Sequence, residues 1–185
     1  DPLTLIAQSS NGAGSRRHMI EIALDLENGI LYGAGTPGLE AFDITPNSPE
    51  LLDEHRGKME HLELISSSLI AGTSRGRSSR QNGQIRGMGL YLFDVSDPSQ
   101  IGEPTYLEID HASGLAYRAP YLYVLSHDGK IRTIDISSST NPEVINETSG
   151  LANPWKMVII DTIGYIADNT LGITTVDLSN PITPI

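Results

Sequence analysis

Four of the twelve basic residues sit in one short stretch. TSRGRSSRQNGQIRGM (73–88) carries Arg75, Arg77, Arg80 and Arg86 and no acid. Guanidinium forks at that density suit carboxylate, sulfate or phosphate groups. The competing reading is a solvated insertion drawn to its own acidic body. A second set of reactive side chains is spread over short Gly- and Ser-rich segments: His18, His55, Asp110 and His111, with His127 and Asp128 further on. Imidazole and carboxylate together suit a divalent metal, and a bound metal would permit hydrolysis. No pair has dedicated ligand spacing, so surface and loop-capping histidines are the plainer reading, and no cofactor is expected. Trp155 is the sole Trp. Exposed, it would stack on a sugar or anchor a peptide; buried, it would plug a core. His61, inside an apolar alternation, reads as a packed residue. No nucleophile motif or matched carboxylate pair occurs, so a non-catalytic protein is expected ahead of an enzyme.

Composition narrows the classes further. The formal charge is −11, from 12 basic and 23 acidic residues. Phosphate backbones and anionic membranes repel such a chain unless its basic residues cluster, so no nucleic-acid partner is expected. No apolar run approaches the roughly 18 residues of a membrane span, and no signal peptide is visible. The absence of Cys excludes disulfides and thiolate sites. Asn146-Glu147-Thr148 is a formal glycosylation sequon, relevant only in a eukaryotic secretory setting.

The elements that must position these residues come from an internal repeat. GLEAFDIT (38–45), GLYLFDVS (89–96), KIRTIDIS (130–137) and GITTVDLS (172–179) align, with Asp43, Asp94, Asp135 and Asp177 at one register. Their spacings are 51, 41 and 42 residues, and a Pro follows each copy. Asp is depleted in strands. A carboxylate recurring at a strand end can bond backbone N–H groups there as an Asx-type turn does, Ser or Thr two residues on can act similarly, and the Pro stops the strand. Two further apolar strands precede each motif, such as YLYVLS (121–126) and SGLAYRAP (113–120). A less regular one follows, such as EPTYLEI (103–109). Four short strands in about 42 residues is the arithmetic of a β-propeller blade.

The motifs GLYLFDVSDPSQ and GITTVDLSNPITP, with IGYIAD ahead of the last, resemble the LVIVD repeat family. The expected fold is therefore all-β, a β-propeller of four LVIVD-like four-stranded blades in one domain over 1–185. The 73–88 insertion falls in the loop between the second and third strands of its blade. The chain opens on Asp1-Pro2 and LTLIAQ, which has the phase of an outer strand. That strand would complete the last blade and close a four-bladed ring. Half of a larger ring, or a piece of one, has the same phase. Strands lettered a to d from the axis outward put the d–a and b–c loops, with the Arg insertion, most of the His residues and Trp155, on one face.

The resemblance implies a non-catalytic binding module, extracellular or at the cell surface. It would meet a protein or glycan through that loop face, as a monomer or homodimer. One alternative is a metal-assisted hydrolase at the channel mouth, using His18, His55, Asp110 and His111. Another is a structural repeat segment packed against other domains of a longer chain.

Overall fold

The four recurring aspartates end their strands as a capping carboxylate should. Asp43 accepts the Thr45 N–H at 2.8 Å, Asp94 the Ser96 N–H at 3.0 Å, Asp135 the Ser137 N–H at 2.8 Å and Asp177 the Ser179 N–H at 2.7 Å. The Thr45, Ser96 and Ser137 hydroxyls donate to the same oxygens. These bonds hold all four carboxyls below the usual carboxylate range. The motif glycine shapes the other end of the strand. Gly38 opens its strand at φ 130° and Gly172 at φ 82°, backbone that a side chain resists. In the third copy, where Lys130 takes that position, Gly129 supplies the turn at φ 81°.

The structure, a computed structural model, describes residues 18–45, 49–76 and 87–184. Its strands form four antiparallel sheets, each in sequence order. The first blade is β1 (Met19–Asp25), β2 (Ile30–Gly35), β3 (Gly38–Asp43) and β4 (Glu50–Arg56). The second is β5 (His61–Ser66), β6 (Leu69–Ser74), β7 (Gly89–Asp94) and β8 (Thr105–Glu108). The third is β9 (Ala112–Arg118), β10 (Tyr121–Ser126), β11 (Lys130–Asp135) and β12 (Glu143–Ser149). The fourth is β13 (Pro154–Ile160), β14 (Ile163–Asp168) and β15 (Gly172–Asp177). No helix among the described residues is long and apolar enough to cross a membrane.

Period-two alternation decides how the blades stack. Leu122 and Val124 of β10 join Leu90 and Leu92 of the second blade. Tyr123 and Leu125, pointing the other way, join Met157, Ile166 and Val176 of the fourth. A third cluster sets Tyr32 and Leu39 of the first blade against Ile70 and Phe93 of the second. The middle strands of the second and third blades are therefore almost wholly buried on both faces.

Three clusters join four blades, and among the described residues none joins the fourth back to the first. The propeller is not closed. Closure through LTLIAQ concerns residues 1–17, outside the described residues. The fourth sheet is described with three strands.

Candidate functional site at the channel mouth

The innermost strands β1, β5, β9 and β13 all begin on the face carrying the d–a and b–c loops, and a network of polar side chains lies there. Trp155, second residue of β13, is 36% exposed. The Arg75 guanidinium carbon lies 4.6 Å from the centre of its indole, a cation–π contact. His61 meets the ring edge-on at 5.5 Å, and His127 leans on it at 5.9 Å. Three side chains from two blades thus frame the aromatic surface of a third.

Each framing residue is held in turn. Arg75 Nε donates to Glu60 Oε2, and its Nη1 donates to His127 Nε2 at 2.8 Å. Because Nε2 accepts that bond, the His127 proton is on Nδ1, where it is donated to Asn153 Oδ1 at 2.6 Å. Glu60 is almost fully buried. Burial disfavours its charge, yet hydrogen bonds from Arg75 and Lys58 outweigh that and hold its carboxyl below the usual range. His61 Nδ1 donates to Glu21 Oε2 at 3.0 Å, and the Leu62 N–H donates to the same oxygen at 3.1 Å. Lys156 of the fourth blade pairs with the other Glu21 oxygen. Burial lowers the His61 pKa below the usual histidine value, so its ring is neutral near pH 7. Its Nε2 lone pair is buried with no donor among the described residues, a place one ordered water would satisfy.

The loop presenting Asn153 and Trp155 is fixed by Asp168, at the end of β14. Its carboxylate accepts the N–H groups of Ala152, Asn153, Thr170 and Leu171 at 2.8–3.2 Å. Burial opposes the charge, but these four donors win and hold the pKa at about 2. A buried relay locks the same rim: Thr73 Oγ1 donates to the Ser113 carbonyl at 2.5 Å, and Ser113 Oγ donates to the Pro154 carbonyl at 3.0 Å. Three blades are thereby stitched in order.

Of the residues singled out as ligand-binding, Arg75 and Trp155 come together, and Arg77, Arg80 and Arg86 lie outside the described residues. The metal-ligand candidates are not gathered. His18 and His111 are exposed loop residues, and Asp110 is exposed beside His111. His55 lies on the outer strand β4, its ring 5.2 Å from Phe93 of the next blade. Among the described residues no group of three or more His, Asp or Glu side chains could hold a metal ion. His61 is packed, as its alternation predicts, but it packs into the site. Glu21, Glu60, Asn153 and Asp168 were missed, because ordinary polar residues gain a role only where separate blades converge. Asp168 alone gives a local signal: the matching strand ends hold Gly35, Ser74 and Ser126.

The LVIVD repeat family matches residues 111–148 and 164–185. The two matched stretches fall in the third and fourth blades. The first of these LVIVD stretches spans β9 to β12, and the second runs from β14 onward. No curated protein sequence matches the chain. Solved structures do, at low identity. The computationally designed Ika4 protein is 12% identical, with 95% of this chain and 98% of that one covered, at a TM-score of 0.64. A functionally unknown protein from Desulfotomaculum acetoxidans is also 12% identical, with 90% and 54% covered, at 0.68. BamB from Moraxella catarrhalis is 15% identical, with 83% and 41% covered, at 0.61. The chain thus spans about half the length of the second and less of the third. These likenesses establish a propeller-like fold, and with the LVIVD repeats they fit a binding or structural module.

Proposed function

We propose that this chain is a non-catalytic binding module that takes a glycan or protein ligand on its loop face, with Trp155 at the centre of the contact. The observation that carries the reading is the half-open indole framed by Arg75, His61 and His127. A large aromatic with one polar, preorganised border is the composition of a binding anchor. Glu60, Asn153 and Asp168 fix that border before any ligand arrives, which lowers the ordering cost of binding. The arginines of 73–88 would extend the contact toward acidic groups. An extracellular or surface location belongs to the same reading and is supported by the repeat family alone.

Because Trp155 is the only Trp, its fluorescence reports on the site directly. Titration against a glycan array and candidate surface proteins should yield a ligand that shifts its emission. Trp155→Ala should weaken that ligand by about 2 kcal/mol or more, as removal of an interface anchor does. A ligand that binds Trp155→Ala as tightly as the native chain would remove the reading.

A further inference from the structure

The charges at the channel mouth lie in two layers. Glu60 and Glu21 form the lower one, their side chains 3% and 16% exposed. Lys58 and Arg75 pair with Glu60, and Lys156 with Glu21, yet these cations stay 49%, 31% and 40% exposed. Among the described residues of this network three cations stand over two carboxylates. What solvent meets at the mouth is therefore positive, on a chain whose formal charge is −11. Neighbouring carboxylates are already engaged. Asp168 is buried and accepts four backbone N–H groups, and Asp128 pairs with Arg132.

Arg75 is the cation best placed to meet a ligand. Its Nε donates to Glu60 and its Nη1 to His127, which leaves Nη2 without a bond among the described residues. A guanidinium anchored on two nitrogens and open on the third is already oriented toward an acceptor. Its carbon lies 4.6 Å from the centre of the Trp155 ring, and that ring is 36% exposed. An open charged donor thus stands at a fixed short distance from a partly open apolar plane.

Building on the reading of Trp155 as the centre of a ligand contact, we propose that the ligand is an acidic glycan, recognised through the carboxylate of a uronic acid ring. Such a ring offers a flat C–H face and, one bond away, a carboxylate. The face stacks on Trp155 while the carboxylate accepts from Arg75 Nη2, a charge-assisted bond. Lys58 and Lys156 add attraction from either side. A neutral sugar would leave Nη2 unmatched. An acidic peptide carries its carboxylate on a rotatable stem and loses that freedom on binding, so the rigid ring suits the fixed spacing better.

The test is titration of Trp155 fluorescence at low ionic strength with trisaccharides of galacturonic and of glucuronic acid, their methyl esters, and a hexaglutamate peptide. One of the acids should displace the emission, and its ester should bind about tenfold more weakly or worse, as loss of a hydrogen bond to a charged group implies. Added salt should weaken the acid and spare the ester. Arg75→Gln should bring acid and ester to equal affinity. Lys58→Gln, which leaves Glu60 paired with Arg75, should narrow the gap in the same direction and covers the case in which Arg75→Gln unsettles the fold. Equal affinity of acid and ester for the native chain overturns the inference and leaves Trp155 a binding anchor. Binding of hexaglutamate without either acidic trisaccharide overturns it too. So does silence of both acids, and the wider array of glycans and surface proteins then decides the Trp155 reading by itself.

Discussion

Asp168 shows how one carboxylate can fix a recognition surface that it does not join. Its four backbone donors orient residues 152 and 153, and through them Asn153, His127 and Trp155. Asp168→Asn would keep the shape but replace one acceptor oxygen by a donor and abolish the charge. The expected outcome is a lower melting temperature near neutral pH, together with a blue or red displacement of Trp155 emission as the loop relaxes. The pH dependence follows from the sign of the shift. The folded pKa of about 2 is below the ordinary 3.8. The stabilisation is therefore complete above the ordinary value and is lost as pH falls through that value toward about 2. Asp43, Asp94, Asp135 and Asp177 are also held low by their Ser or Thr donors, so their contribution too is lost only as pH falls below the ordinary carboxylate value. Melts of the native chain should weaken as acid is added over that window. Asp168→Asn, less stable throughout, should lose less over the same range; an unchanged acid slope would remove Asp168 from the account.

At the scale of the strand, legibility divided along physical lines. β2, β10, β14 and β15 fall at 30–35, 121–126, 163–168 and 172–177, where apolar alternation bounded by Gly, Asp and Pro puts them. Those signals are local. The outer strands were harder to read, since β4 and β12 are half-exposed and mostly polar. Cross-blade contacts had no signal at all. Gly114 is an example: it looks like an ordinary small residue, yet a Cβ there would press on the Trp155 carbonyl oxygen and the Lys156 Cα of the neighbouring strand. It permits β9 and β13 to approach at the axis. Gly114→Ala should cost about 1–3 kcal/mol, the usual penalty of overpacking, measured by urea denaturation. Thr73→Val keeps the shape but leaves the buried Ser113 carbonyl without its donor, and about 1–3 kcal/mol is expected there too. If both variants unfold with the native midpoint, the rim relay contributes nothing to the fold.

For the whole molecule, the decisive quantity was also the one a repeat cannot disclose. Alternation predicts that each sheet has two apolar faces; it does not say whether the last face finds a neighbour. The middle strands of blades one to three are buried on both sides, whereas β1 and one side of β13–β15 are open to water. Stability in such a series is a sum of blade terms and nearest-neighbour terms. Amide exchange at low protein concentration should therefore be slowest in β6, β7, β10 and β11 and faster in β1 and β13–β15. Equal protection across all four sheets at that dilution would mean that the ends are coupled after all.

The three interlocked clusters bear on how such a chain changes over generations. Every blade offers its successor the face that it requires of its predecessor. A duplicated stretch of gene encoding one blade would thus arrive with both of its contacts already specified, and a deleted one would leave its former neighbours able to meet. Blade number can drift by whole units without any side chain being reinvented. What selection must then work on is the angle between successive blades, since that angle alone decides the number at which the two ends come together.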